Sequence, residues 1–96
     1  MNYRLNIFGF PGAPQLANEA MSGSQNLGLL DIDAAIDWVY ANIANFGGDP
    51  ERITIFGESA GGVAVDAYAF AHPNNTIVKG LSRPLVFDNS SPFVKV

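Results

Sequence analysis

Cysteine is absent from the sequence. That excludes disulfides and thiolate metal sites within these 96 residues. Charge is scarce as well: only 15% of residues are charged against 48% apolar, a balance that disordered chains do not show. Basic residues are outnumbered, with five Lys and Arg against nine Asp and Glu, and the net charge is −4. A surface built for nucleic-acid phosphates needs the opposite sign, so nucleic acid is not an expected partner. No apolar run approaches the roughly 18 residues of a membrane span. The opening stretch MNYRLNIFGFPG lacks the form of a secretory leader, because Arg4 is followed by a short alternating run and then by Pro and Gly. Histidine occurs once, at His72. The length suits one small domain.

What is present alternates between strand-like and helix-like segments. Tyr3 to Phe8 alternates in polarity and predicts a short strand. Gly9 to Asn26, about 18 residues rich in Gly, Pro, Ala, Ser and Asn, predicts a loop longer than the usual connection. Leu27 to Asn45 predicts a helix, with Ile32, Ala35, Ile36, Val39 and Ile43 as its buried stripe and Trp38 and Tyr40 flanking it. Asp31, Asp33 and Asp37 lie in its first half, where carboxylates suit the helix dipole. Gly47 and Gly48 supply its stop. Arg52 to Phe56 predicts a second strand, and a second helix begins at Ser59 or Ala60 and runs to about Ala71, ended by His72-Pro73-Asn74-Asn75. Pro84 to Phe87 predicts a third strand. Strand, helix, strand, helix, strand is the order of an α/β fold with a mostly parallel sheet.

The stretch ITIFGESAGG, from Ile53 to Gly62, carries the chemistry. Gly57-Glu58-Ser59-Ala60-Gly61 satisfies G-x-S-x-G, which places a serine on a sharp, strained strand-to-helix turn. Side chains two residues either side would collide in so tight a reversal, hence Gly at both positions. The helix that follows directs its N-terminus at the site and favours developing negative charge. Ser59 is therefore read as a nucleophile and the Ala60 N–H as an oxyanion donor. The bare pentapeptide arises by chance in roughly a few per cent of chains this long, so its setting between a strand and a helix decides the reading. The bland alternative is a small-residue turn that packs a helix closely onto a strand.

The run NLGLLDIDAAIDWVYANIANFGGDPERITIFGESAGG resembles the type-B carboxylesterase family, which includes the cholinesterases and a group of fungal lipases. Asn26 to Asp31 looks like that family's N-x-G-L-x-D signature, Asn45 to Pro50 like its F-G-G-D-P turn, and Phe56 to Gly62 like its F-G-E-S-A-G-G signature. Upstream, Asn2-Tyr3-Arg4-Leu5 and Phe8-Gly9-Phe10 look like its N-Y-R-L…G-F strand. The likeness is dense from Asn2 to Gly62 and thins after Asp66. It implies an α/β-hydrolase that cleaves carboxylic esters through a serine acyl-enzyme, with a small-molecule ester as substrate and with neither cofactor nor metal. It implies too that Glu58 is a buried group steadying the site beside Gly57, Gly61 and Gly62. Relatives are often secreted and carry disulfides, so the missing cysteines say nothing about compartment.

Measured against that family, residues 1–96 read as a piece of one hydrolase domain. Its glycine-rich oxyanion segment would lie upstream, and its acid and His downstream, in the order Ser, acid, His. Nothing within the chain replaces them. His72 follows the serine by one helix length, about 18 Å, where a base must reach within about 3 Å. Asp88 would end a strand but has no His to orient, and Asp66 is expected to face solvent. Asp49 and Arg52 are read as a local ion pair. In the resembling fold a further strand lies between the Tyr3–Phe8 and Arg52–Phe56 strands; without it a gap opens in the sheet and apolar surface is exposed. The competing expectation is a catalytically inactive truncated or non-enzymatic cholinesterase-like protein.

Overall fold

The computed structural model describes residues 1–14 and 25–82. Along the chain these form a single helical turn α1 (Asn6–Gly9), helix α2 (Leu27–Asn42), 3-10 turns at Ile43–Phe46 and Pro50–Arg52, strand β1 (Ile53–Phe56), helix α3 (Ala60–Ala71) and strand β2 (Val78–Ser82). The strands pair in parallel, with Thr54 opposite Gly80, Ile55 opposite Leu81 and Phe56 opposite Ser82. β1, α3 and β2 thus make one strand–helix–strand crossover, the connection a parallel pair requires. Helices with a two-stranded parallel sheet bear out the α/β expectation at that level.

α2 starts and stops close to where its sequence pattern places it. Its regular part ends at Asn42, and the chain tightens into the Ile43–Phe46 turn before leaving it at Gly47. Gly47 takes φ 81°, and its N–H donates to the Ala44 carbonyl at 3.1 Å, while the Gly48 N–H donates to Ile43 at 3.0 Å. Left-handed backbone at this position is what a glycine supplies without a Cβ penalty. The Asp49 carboxylate then caps the next turn, accepting from the Glu51 N–H at 2.9 Å and the Arg52 guanidinium at 2.8 Å. These bonds hold its carboxyl below the usual range, the Glu51 N–H contributing most. Asp49 and Arg52 are therefore the local ion pair expected of them.

Two expectations fail or move. Tyr3–Phe8 is not a strand: the Gly9 N–H donates to Leu5 at 3.1 Å and the Phe10 N–H to Asn6 at 2.7 Å, closing the one turn of α1. The order among the described residues is therefore helix, helix, strand, helix, strand. A strand exists only beside a neighbour that takes its N–H and C=O groups, and among the described residues none pairs with this run. Its alternating polarity alone could not form one. Arg4 anchors the segment instead, its backbone N–H and guanidinium both donating to the Asp31 carboxylate at 2.7–3.1 Å. Asp31 thus serves this contact rather than the first turn of its helix, which holds no acidic residue. The partner of β1 is β2, a strand the sequence reading passed over. The expected Pro84–Phe87 strand lies outside the described residues.

The core is small. Ile36 of α2 and Ala64, Val65 and Tyr68 of α3 are buried, and no large side chain among the described residues is fully enclosed. Phe8, Phe46, Phe56 and Phe70 are each more than 70% exposed, far beyond scattered surface apolars. Between the N-terminal segment and β1 lies an open cavity of about 410 Å³, bounded by Met1 and Tyr3 on one side and Thr54, Ile55 and Phe56 on the other. Ile32, Ile36, Ala64 and Val65 of the helices form its floor.

Candidate active site

The turn at Ser59 is built by β1 and α3. β1 ends at Phe56 and α3 begins at Ala60, so three residues reverse the chain. Ser59 takes φ 53° and ψ −118°. A positive φ is uncommon for any residue with a Cβ, and this ψ lies outside the small left-handed well, so the conformation carries strain of about 1–3 kcal/mol. Such strain persists only where the surroundings impose it. Here the Gly57 N–H donates to the Ser82 carbonyl at 3.2 Å, the Gly61 N–H to Glu58 at 2.8 Å and the Val63 N–H to Ser59 at 3.1 Å. β2 therefore takes part in holding the turn. Gly80 of β2, opposite Thr54, leaves room for the threonine side chain: a Cβ there would lie 2.7 Å from Thr54 Oγ1.

Gly57 is required by close approach. A Cβ on it would lie 2.9 Å from the Gly61 Cα and closer still to the Gly61 carbonyl group. At Gly61 itself a Cβ would meet nothing within 4 Å, so among the described residues the turn needs glycine at one of the two expected positions. Gly62 is buried within the first turn of α3.

Ser59 is exposed, and its hydroxyl makes no capping bond to α3. It is thus left available at the helix N-terminus. Ala60 is the first residue of α3, where N–H groups have no intrahelical acceptor. The pair supplies a hydroxyl and a donor-rich helix end, the parts needed to attack a carbonyl and bind the oxyanion.

Glu58 departs from expectation: it is exposed rather than buried. The reversal turns its side chain outward, and its contribution to the turn is the backbone carbonyl that accepts from Gly61. Asp66, expected to face solvent, is half-buried. His72 terminates α3, twelve residues of helix away from Ser59, about 18 Å at ~1.5 Å per residue. Its Nε2 lies 3.3 Å from Asp33 Oδ1 without hydrogen-bond geometry, and its ring rests against Tyr68 at 4.6 Å between centroids. Burial raises the Tyr68 phenol above its ordinary value. The structure therefore keeps the one imidazole apart from Ser59, as its spacing indicates. Asp88 lies outside the described residues. Among those residues no cluster of His, Asp and Glu suits a metal ion. No helix there is long and apolar enough to cross a membrane.

Residues 1–85 match the model of the Carboxylesterase family. Secreted lipase 5 of Gibberella zeae is 56% identical over 81 residues, which cover 84% of this chain and 15% of that protein. Chlorogenic acid esterase of Aspergillus niger is 48% identical over 93 residues, covering 93% of this chain and 17% of the relative. Para-nitrobenzyl esterase of Bacillus subtilis is 55% identical over 91 residues, covering 95% and 17%. The chain spans 15–17% of the length of these relatives. With the strained serine turn and a family match running through it, the chain belongs to the carboxylesterase family.

Proposed function

We propose that Ser59 is the nucleophile of a carboxylic ester hydrolase of which these residues are one part. The observation that carries the reading is the backbone of Ser59, held at φ 53° between β1 and the N-terminus of α3 with its hydroxyl unused. The Ser59 Oγ attacks the ester carbonyl and its proton passes to a base. The tetrahedral oxyanion is held by the Ala60 N–H with the positive end of α3. Collapse releases the alcohol and leaves an acyl group on Ser59, which water then removes. Gly57 sets the distance between strand and helix in this scheme, with the backbone of Gly61 against it and Gly62 buried in the first turn of α3. The names of the relatives, esterases and lipases, support the reaction class.

The base and its orienting acid come from elsewhere in the longer protein, since His72 lies at the wrong end of α3. The same observation, with the exposed phenylalanines, favours a second reading for the 96 residues alone: by themselves they are inactive. Four relatives are named as secreted lipases, and we place the complete protein outside the cell on that support. The test is Ser59→Ala in the complete protein. Hydrolysis of a p-nitrophenyl ester and labelling by a fluorophosphonate are both expected to vanish while the unfolding transition stays in place. Turnover retained in that variant sinks the assignment.

A further inference from the structure

The turn after α3 carries a motif that ester hydrolysis does not use. Asn74-Asn75-Thr76 reads N-x-T with a middle residue other than proline, the acceptor pattern for N-linked glycans. The pattern is short and needs a structural reason before it means anything. The structure divides the three residues by role. Asn75 is half-buried and holds the turn: its Nδ2 donates to the Tyr68 hydroxyl, and its Oδ1 accepts from the N–H of Ile77 at 2.6 Å and of Val78 at 3.0 Å. Its own N–H donates to the His72 carbonyl at 3.0 Å. Asn74 and Thr76, on either side, are exposed. The residue that must offer its amide and the residue that must offer its hydroxyl are therefore the two that the fold leaves in solvent. The turn between them is pinned by a neighbour that a glycan would not disturb.

Position favours it as well. The turn follows the C-terminal end of α3, while Ser59 precedes its N-terminal end, twelve helical residues and about 18 Å away. A bulky polar group at Asn74 leaves the approach to Ser59 open.

We propose that Asn74 is a site of N-linked glycosylation, an inference that rests on the reading that the protein is secreted. The Asn74 Nδ2 forms a bond to the anomeric carbon of an oligosaccharide carried on a lipid pyrophosphate. The bond from that carbon to the phosphate oxygen breaks, the lipid pyrophosphate leaves, and the amide gives up one proton to the base of the transferase. No electrons change hands.

The experiment directs the complete protein into a yeast secretory route behind a heterologous leader and maps its peptides by mass spectrometry. Mapping must be site-resolved, because Asn89-Ser90-Ser91 also reads N-x-S. Asn74 is expected to carry a glycan whose release by a peptide N-glycosidase leaves aspartate at position 74. Thr76→Ala should abolish the modification and Thr76→Ser should keep it, with ester hydrolysis unchanged in both. A secreted, active protein with bare Asn74 overturns the proposal, as does a glycan that survives Thr76→Ala. Location is read separately, by partitioning the protein between cells and medium in its own source. Retention in the cells defeats the secretion reading, and the leader-directed measurement still reports whether Asn74 is an acceptor.

Discussion

Replacing Gly57 by alanine puts a methyl group where the backbone of Gly61 already stands. The new Cβ would lie 2.9 Å from the Gly61 Cα and closer to its carbonyl group, whereas ordinary contact begins near 3.4 Å. The obstacle is backbone, so no rotamer change removes it; the start of α3 must back away from β1 by about 1 Å. That displacement moves Ser59 and Ala60 together, because they are the residues that join the two elements. A misplacement of about 1 Å at reacting groups costs on the order of a hundredfold in rate, and overpacking costs about 1–3 kcal/mol of stability. In the complete protein, Gly57→Ala is therefore expected to lower kcat/KM for a p-nitrophenyl ester about a hundredfold and to lower the denaturant midpoint. Gly61→Ala is the control, since a Cβ there meets nothing within 4 Å and alanine favours the helix. It should retain activity. Gly57→Ala with kcat/KM within about threefold of wild type would refute the reasoning that strand-to-helix approach sets the nucleophile.

Two further outcomes follow from contacts away from Ser59. Arg4 holds the Asp31 carboxyl at about 2, down from 3.8, chiefly through its side-chain hydrogen bonds. A depressed carboxyl contributes stability that is complete above 3.8 and lost as pH falls through about 2, so the advantage of wild type over Arg4→Gln in unfolding midpoint should shrink across that window. A difference that stays constant over the same range contradicts the pairing. His72→Gln should leave kcat/KM within about twofold of wild type, because the imidazole faces Asp33 and Tyr68 rather than Ser59. A loss of several orders of magnitude would identify His72 as the base and overturn its placement.

How much of this was legible depended on how local each feature is. The helix over Leu27–Asn42 and its glycine stop rest on side-chain period and on φ at Gly47, properties of neighbouring residues. The same holds for the reversal at Ser59, where the nucleophile, Gly57 and the head of α3 lie within a few residues of each other. Tyr3–Phe8 was misread because alternation describes what a strand would look like, not whether a neighbour exists to pair with it. β2 was missed for the converse reason: Val78–Ser82 has a lysine and a glycine at its centre and no alternation, and pairing with β1 makes it a strand.

The sequence by itself determined the serine turn, the helices that flank it and the family they belong to, because steric rules at glycine and the 3.6-residue period act over a few residues. Only the tertiary structure decided that Arg4 would grip Asp31, that β2 would hold the turn through Ser82, that Glu58 would face solvent and that Asn75 rather than Asn74 would pin the turn after α3. Each of those depends on where distant backbone and side chains come to rest, and hydrogen bonds and burial between remote residues are set when the chain packs.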